Sequence, residues 1–242
     1  MRKLLKKITA ILFALITLFS FASCNLFQEH KNSIDESVFD FETQLSLPQQ
    51  GEQIAVVTTS FGTFKMKLFP QYAPKAVENF ITLAKQGYYD GSYVFCIDPN
   101  NAFMGGSTDN QGVGYKSIFN DGKPFDNECT DALWHFSGAV STISTETGKS
   151  DSRFLILGDV TIPETTITSM ERYGYPASLV EKYREHGGAP TLDARHTIFA
   201  QIFEGIETVN AINKVEIDAE NGRPLTDVKI EKIEIVNYGE EK

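Results

Sequence analysis

Residues 73–106, APKAVENFITLAKQGYYDGSYVFCIDPNNAFMGG, contain one helix signal followed by two short strand signals. Pro74 suits the first turn of a helix, apolar residues then recur on one face, and Gly87 is typical of a helix end. Strands are expected at about 93–98 and 102–105, before a glycine-rich irregular stretch. The segment therefore predicts a helix and an adjoining strand pair within one domain.

Strand signals continue on both sides of this segment. The run 54–69 contains two β-rich stretches joined across Ser-Phe-Gly, which is a hairpin signal, and residues 205–215 predict a second short helix. Further strand signals lie at 138–144, 152–158, 196–203 and 228–236. Many short strands with two helices predict a mainly β fold, an antiparallel barrel capped by two helices.

Residues 162–188 do not follow the strand pattern of their neighbours. Two prolines stand where helices could start, and the glycine pair at 187–188 is a stop signal. We interpret this segment as a helical insertion between two barrel strands. It should form two short helices, and we expect the barrel to fold without it.

Residues 1–23 have the pattern of a signal peptide. A basic start, MRKLLKK, precedes an apolar run at 8–22, which is shorter than the roughly 20 residues that a membrane-spanning helix needs. Cys24 follows small residues at the end of this run, which favours its lipidation as the mature N-terminus. The alternative is a plain secretory signal with Cys24 left free. We expect an exported lipoprotein, anchored on the extracytoplasmic side of a bacterial cell envelope.

The rest of the chain divides into a tether and one domain. Residues 24–50, after the lipidated cysteine, are polar and without sustained period, so they are expected to be a flexible tether. Residues 51–238 are long enough for one domain with a substantial core. The formal net charge is −10, and removal of the four basic residues of the leader would make it −14. Such an acidic protein is not expected to bind nucleic acid, so its only expected membrane contact is the lipid.

Two cysteines, Cys96 and Cys129, remain after Cys24. No CxxC motif and no Cys/His spacing typical of a metal site is present, so we expect no metal. The two thiols could pair in an exported protein, but the sequence gives no distance between them. Their pairing stays open at this point.

Six segments carry a further signal through their order: APKAVENFITLAKQGYYDG, FMGG, GYKSIF, FDNE, GAVSTIS with SDSRFLILG, and LDARHTIFAQIFEGIETVNAI. Together they resemble the cyclophilin family of peptidyl-prolyl cis-trans isomerases, over about residues 53–237. The resemblance implies a closed, eight-stranded antiparallel barrel and isomerisation of X-Pro bonds without a cofactor. It also implies proline-containing polypeptide segments as partners, and we expect a monomer.

The resemblance assigns roles to individual residues. The family's catalytic arginine falls on Cys96, and the glutamine that supports it falls on Met104. The phenylalanine and methionine of the proline pocket fall on Asn101 and Ala102. The remaining positions are a backbone-binding pair at Ile143 and Ser144, a glutamine position at Arg153, a second phenylalanine position at Leu155, and the retained pocket residues Leu192 and His196.

The departure at Cys96 bears directly on the reaction. Rotation about an X-Pro bond has a barrier of about 18–20 kcal/mol and needs no covalent step. A cationic donor aimed at the proline nitrogen stabilises the twisted transition state more than the planar ground state, and a neutral thiol cannot replace it. Arg153 either supplies this cation from the neighbouring strand, or it does not and instead points to solvent or pairs with an acid such as Asp151. His196 is either a pocket wall or a buried barrel histidine.

Three functions remain open from the sequence. The first is a weakened isomerase that acts on exported polypeptides, with Arg153 and His196 as catalytic candidates. The second is a non-catalytic module that binds proline-containing peptides at the membrane, and the third is a structural lipoprotein. We expect the isomerase, because desolvation and a grip on both sides of the bond also favour rotation. The insertion should lie beside the groove, since it leads directly into Leu192.

Overall fold

The computed structural model describes residues 34–144 and 148–240. The predicted signal peptide, the predicted lipidation at Cys24 and the first part of the expected tether lie outside these residues. Within the described part of the chain, no helix is long and apolar enough to cross a membrane.

The molecule is built around one large antiparallel sheet of nine strands. Its order is β3-β13-β1-β2-β10-β7-β9-β5-β4, and two further pairs, β6-β8 and β11-β12, lie outside it. The strands are β1 (Gln53–Thr59), β2 (Gly62–Leu68), β3 (Ser92–Tyr93), β4 (Cys96–Asp98), β5 (Ala102–Gly105), β6 (Phe125–Asp126), β7 (Ala139–Thr142), β8 (Lys149–Ser150), β9 (Phe154–Leu157), β10 (Ile198–Glu204), β11 (Ile217–Asp218), β12 (Arg223–Pro224) and β13 (Lys229–Asn237).

The sheet curls strongly, because its two edge strands are consecutive in the chain. β3 pairs with β13 and β4 pairs with β5, while Val94 and Phe95 connect them. The N–H of Val94 donates to the Val228 carbonyl at 2.9 Å, and the N–H of Phe95 donates to the Met104 carbonyl at 3.0 Å. The single strand expected at 93–98 is therefore divided in two, which gives nine strands instead of eight and leaves the barrel without edge-to-edge pairing. The predicted mainly β class is confirmed.

Two helices cover the curled sheet as expected. α2 (Pro74–Lys85) buries Val77, Phe80 and Leu83 in the main core, and α5 (Ile206–Ile212) buries Val209. Full burial of one such side chain contributes about 1.5–3 kcal/mol. The N–H groups in the first turn of α2 are bonded by a residue that is distant in sequence. The Glu128 carboxylate accepts from the N–H groups of Lys75 and Ala76 at 3.1 and 3.0 Å.

The insertion forms the two predicted helices, α3 (Glu164–Arg172) and α4 (Ala177–His186). Its apolar faces make a separate core with Trp134 and Phe136, in which Met170, Leu179 and Tyr183 are completely buried. Removal of the insertion would expose Trp134 and Phe136 to water. Folding of the barrel without this segment stays a prediction, although the packing of the insertion on Trp134 and Phe136 argues against it.

Part of the expected tether is folded onto the domain. A 3-10 turn at Glu36–Val38 leads into α1 (Phe41–Leu45), which begins at the capping side chain of Asp40. The Gln44 Nε2 donates to the Trp134 carbonyl at 2.6 Å, and the Trp134 N–H donates back to Gln44 Oε1 at 3.0 Å. The tether interpretation is wrong for residues 35–46, because a few apolar residues and one buried glutamine attach them to the insertion core.

Candidate active site

Strand alternation separates the main core from the candidate active site. Successive side chains in a strand point to opposite faces, so Ile97 and Phe103 enter the main core while Cys96 and Met104 face the other way. Cys96 lies opposite Met104 in the β4-β5 pair, and Met104 lies opposite Leu155 in the β5-β9 pair. The face opposite the main core is therefore the place where the predicted pocket residues can meet.

Most predicted substrate-binding residues do meet in one apolar cluster on that face. The members predicted from the sequence are Cys96, Ala102, Met104, Ile143, Leu155 and Leu192. Asn101 belongs to the β4-β5 turn instead, where its Nδ2 donates to Asp98 Oδ2 at 3.1 Å and its carbonyl accepts from the Gly158 N–H at 2.7 Å. Its role as a pocket wall is not supported by this geometry.

All the predicted members of the cluster are buried, and three of them are the least completely covered. Met104, Ile143 and Leu192 keep 9%, 8% and 7% of their surface exposed, whereas Cys96 and Ala102 keep none. A peptide that binds this face can therefore touch the first three side chains, but it cannot reach the thiol of Cys96 in this conformation.

The chemistry of Cys96 follows from its burial. Burial, with a smaller effect of the nearby Asp98, raises the pKa of Cys96 to about 12. The thiol is consequently neutral at physiological pH and offers no charge to a proline nitrogen. Both Cys96 and Cys129 are free thiols, so the pairing that the sequence left open does not occur in this structure.

His196 lies at the edge of the cluster and is held through Nδ1. The Ser144 N–H lies 3.1 Å from this nitrogen and the Thr142 carbonyl lies 3.2 Å from it, so the tautomer decides which of them it bonds. Burial, helped by the neighbouring His135, lowers the pKa of His196 to about 4. The imidazole is therefore neutral at physiological pH, which suits a pocket wall and not a cation.

Both backbone donors of the predicted peptide-binding pair have contacts within the protein. The Ile143 N–H donates to the Arg153 carbonyl at 3.0 Å, and the Ser144 N–H faces His196 Nδ1. The Ser144 hydroxyl accepts a hydrogen bond from Asn127 Nδ2 at 2.6 Å. A peptide can therefore donate to the carbonyl groups of this pair, or bond to the Ser144 hydroxyl, without displacing these backbone contacts.

Arg153 pairs with Asp151, as one of the two sequence-based alternatives stated. Its Nε and Nη2 donate to the two carboxylate oxygens at 3.0 and 2.6 Å, and Nη1 donates to the Gly112 carbonyl at 2.8 Å. The guanidinium also stacks on the Tyr115 ring at 5.4 Å. The Asp151 side chain is fully buried, so the ion pair is strongly held. Relocation of a free cation to Arg153 is not what the structure shows.

Sequence reasoning missed a buried polar group behind the cluster. The Asp193 carboxylate accepts from the His135 N–H at 3.0 Å, lies 2.8 Å from His135 Nδ1, and accepts from the Tyr183 hydroxyl at 2.6 Å. The rings of His135 and His196 meet at 84° with their centroids 6.3 Å apart. Asp193 follows Leu192 directly, which was a usable signal, but nothing in the sequence pointed to Tyr183.

The described residues contain no group of three or more His, Cys, Asp or Glu side chains that could hold a metal ion. The candidate site is thus an apolar floor with one neutral imidazole at its edge. Such a site can remove water from a bound group and fix its position, but it presents no free charge.

Comparisons with known proteins agree on one family. A family model described as cyclophilin type peptidyl-prolyl cis-trans isomerase/CLD matches residues 54–235. A protein named "Putative peptidyl-prolyl cis-trans isomerase" from Staphylococcus aureus (strain USA300) is 36% identical over 187 residues, which is 77% of this chain and 93% of that protein. A protein of the same name from Staphylococcus saprophyticus is 34% identical over 194 residues, covering 80% and 97%.

A solved structure shows the same fold. It is the cyclophilin type peptidyl-prolyl cis-trans isomerase of Cryptosporidium parvum, crystallised in the presence of the dipeptide Ala-Pro. The TM-score is 0.61 at 24% sequence identity, with 76% of this chain and 99% of that chain covered.

Proposed function

This chain belongs to the cyclophilin-type peptidyl-prolyl cis-trans isomerase family, and from this premise we propose that it accelerates rotation about X-Pro bonds in exported polypeptides, at a rate reduced by the absence of the arginine. One observation carries the proposal. Met104, Ile143 and Leu192 form a partly exposed apolar floor beside the neutral imidazole of His196. This arrangement fits a proline ring, the chemistry that the Ala-Pro dipeptide represents in the Cryptosporidium protein.

Catalysis at this site would rest on removing water from the bound proline and on holding the chain on both sides of the bond. The planar imide carries charge separation that water stabilises, and the twisted form loses it. An apolar floor that takes the proline ring out of water therefore favours the twisted form. The carbonyl groups of Ile143 and Ser144 could hold the chain beside the ring, so that rotation is confined to one bond.

The rate should be lower than at a site with a cationic donor. Loss of one preorganised donor at a developing charge typically costs roughly 10²–10³-fold in rate. Cys96 is neutral and buried, and the Arg153 charge is compensated by Asp151. The same two facts favour the second candidate function, a non-catalytic module that binds proline-containing peptides.

Localisation forms part of the proposal. The leader pattern at 1–23 and the position of Cys24 support export and lipid anchoring on the extracytoplasmic side of a bacterial envelope, where the substrates would be exported chains. A monomer is proposed together with this arrangement.

The deciding experiment measures isomerisation and binding of one proline-containing tetrapeptide with the full-length protein. Turnover above the uncatalysed rate supports the isomerase, and binding without turnover supports the binding module. If the protein neither binds nor turns over the peptide, both proposals are wrong.

An Arg153→Ala variant tests the remaining question about the cation. Because Asp151 holds the guanidinium, we expect kcat/KM to fall by less than about tenfold, which is less than 1.4 kcal/mol of transition-state stabilisation. Arg153→Lys is the matched control, since it keeps a charge beside Asp151. A loss well beyond tenfold in Arg153→Ala that Arg153→Lys restores would show that Arg153 acts on the substrate after all.

A further inference from the structure

A buried hydrogen-bond relay connects the helical insertion with the candidate active site. Tyr183 lies in α4, Asp193 follows Leu192, and His135 precedes β7. The Asp193 carboxylate joins the other two through the 2.6 Å bond from the Tyr183 hydroxyl and the 2.8 Å contact with His135 Nδ1. The side chains of His135 and Asp193 are 0% and 2% exposed, so water cannot substitute for a lost partner without rearrangement.

The His135 ring depends on Asp193 for its orientation. Its Nε2 is buried and has no hydrogen-bond partner among the described residues, so its one polar anchor there is the contact between Nδ1 and Asp193. The same ring packs edge-on against His196. A movement of the Asp193 carboxylate would therefore be transmitted to the imidazole that borders the apolar floor.

The backbone reinforces this connection. The Ala189 N–H donates to the His135 carbonyl at 2.8 Å, and the Leu192 N–H donates to the Ala189 carbonyl at 3.0 Å. Gly188 permits the close approach, because a Cβ at this position would lie 2.1 Å from the His135 carbonyl oxygen at a φ of +125°. The segment that returns from the insertion and carries Leu192 is thus attached to His135 by both side chain and main chain.

We propose that Tyr183, Asp193 and His135 are positioning residues, which hold His196 and Leu192 in the arrangement that receives a proline ring. The insertion then supports the binding site and does not merely extend the barrel. The part of this inference that concerns peptide affinity rests on the proposed function. The part that concerns the geometry of the histidine rings does not.

The test uses Tyr183→Phe in the full-length protein, because this change removes the hydroxyl and keeps the ring that packs on Phe136 at 4.8 Å. Ile167→Val is the control, since Ile167 belongs to the same insertion core and does not bond to Asp193. Two readouts are measured: the ring nitrogen signals of the histidines by NMR, feasible because the chain has only 4, and the affinity for a proline-containing tetrapeptide.

We expect Tyr183→Phe to shift the ring signals of His135 and His196 and to weaken peptide binding roughly threefold to tenfold, with a larger effect on KM than on kcat. Ile167→Val should leave the signals and the affinity unchanged even where it lowers Tm. Unchanged His196 signals in Tyr183→Phe would overturn the proposal. Shifted signals with wild-type affinity would overturn it too, since the relay would then be structural only.

Two further outcomes are also decisive. If the wild-type protein neither binds nor isomerises the peptide, the proposed function fails, and the ring signals alone decide whether the relay positions His196. If Tyr183→Phe does not fold, His135→Asn replaces it, because the asparagine amide can donate to Asp193 in place of Nδ1 while the ring facing His196 is lost. Wild-type His196 signals in that variant would contradict the relay.

Discussion

At the scale of single residues, neither Cys96 nor Arg153 offers a free positive charge to the candidate site. Cys96 occupies the position at which the family resemblance implies a catalytic cation, yet it is completely covered and its thiol is neutral. Arg153 carries a charge close by, but two of its nitrogens are bound to the buried Asp151 carboxylate. In the proposed isomerisation, we therefore expect electrostatic stabilisation of the twisted imide to be weak and desolvation to contribute the larger share.

A Cys96→Arg substitution should not restore a stronger enzyme. The cysteine lies opposite Met104 in a packed cluster, so a guanidinium placed there would be buried among apolar side chains. The one acid shown to act on this position, Asp98, already accepts a hydrogen bond from Asn101. We expect the free energy of unfolding to fall by about 3 kcal/mol or more and kcat/KM not to rise. Urea denaturation and the tetrapeptide assay measure these effects, with Cys96→Ala as the control. A stable variant with raised kcat/KM would show that the cluster has room for the arginine.

The lowered pKa of His196 predicts a pH dependence of stability. The folded protein binds the proton only below about pH 4, whereas an unfolded histidine binds it below its ordinary value of 6.5. Protonation therefore favours the unfolded state. The stability that the neutral His196 contributes is complete above about pH 7 and is lost as the pH falls from 6.5 to 4. Its full size is about 3 kcal/mol. The free energy of unfolding, measured by urea denaturation, should fall less between pH 7 and pH 5 in His196→Gln than in the wild type. His186→Gln is the control and should behave like the wild type. An equal fall in all three proteins would contradict the pKa assigned to His196.

The residue-level assignments were predicted unevenly from the sequence. Cys96, Met104 and Leu155 converge because strand alternation fixes which side chains share a face, and alternation can be recognised in a sequence. Leu192 lies in a 3-10 turn and Ile143 follows β7, so alternation does not account for these two, and the family resemblance alone assigned them to the pocket. The partner of Arg153 could be offered only as an alternative, since a side chain with four rotatable bonds can reach several acids. Tyr183 could not be predicted, because its bond to Asp193 depends on how an entire helix packs.

At the scale of secondary-structure elements, the N-terminal segment is the clearest departure from expectation. Its composition is polar, and its few apolar residues give no sustained period, so the sequence favoured a tether. The structure shows that Phe39 packs against Trp134, with ring centroids 5.4 Å apart, and that Gln44 satisfies two main-chain groups of the same residue. A short helix can thus be attached by a few apolar side chains and a buried amide, and hydrophobic periodicity does not reveal the contribution of the amide.

A Gln44→Ala substitution should consequently destabilise the whole protein. It leaves a buried N–H and a buried carbonyl of Trp134 without these bonds, and each such group typically costs about 1–3 kcal/mol. Gln49→Ala is the matched control, since this glutamine is exposed. Thermal unfolding should show a lower Tm for Gln44→Ala only. Indistinguishable Tm values would mean that residues 35–46 are a tether in solution, as the sequence first indicated.

At the scale of the whole molecule, two cores stand on opposite sides of the candidate site. The main core lies between the curled sheet and its two helices, whereas the second core joins the insertion, the N-terminal segment and Trp134. The apolar cluster with Leu192 lies against the relay that leaves this second core through Tyr183. The mainly β class and the insertion were predictable from periodicity and turn signals. The contact between the insertion and the N-terminal segment joins parts that are distant in sequence, so no local pattern could reveal it.

The position at which the described part of the chain begins gives the proposed lipid anchor a geometric consequence. If Cys24 is acylated, the ten peptide links from Cys24 to Ile34 span no more than about 35 Å, whatever their path. The largest distance between the site and the membrane would therefore be shorter than with a tether that reaches to residue 50. We expect Cys24→Ser to move the protein from the membrane fraction to the soluble fraction of the cell envelope, as measured by fractionation and immunoblotting. Cys129→Ser is the matched control and should stay in the membrane fraction, because it removes an exposed thiol and leaves Cys24 intact. Wild-type membrane association of the Cys24→Ser variant would refute lipid anchoring and, with it, the restriction of the site to substrates near the membrane.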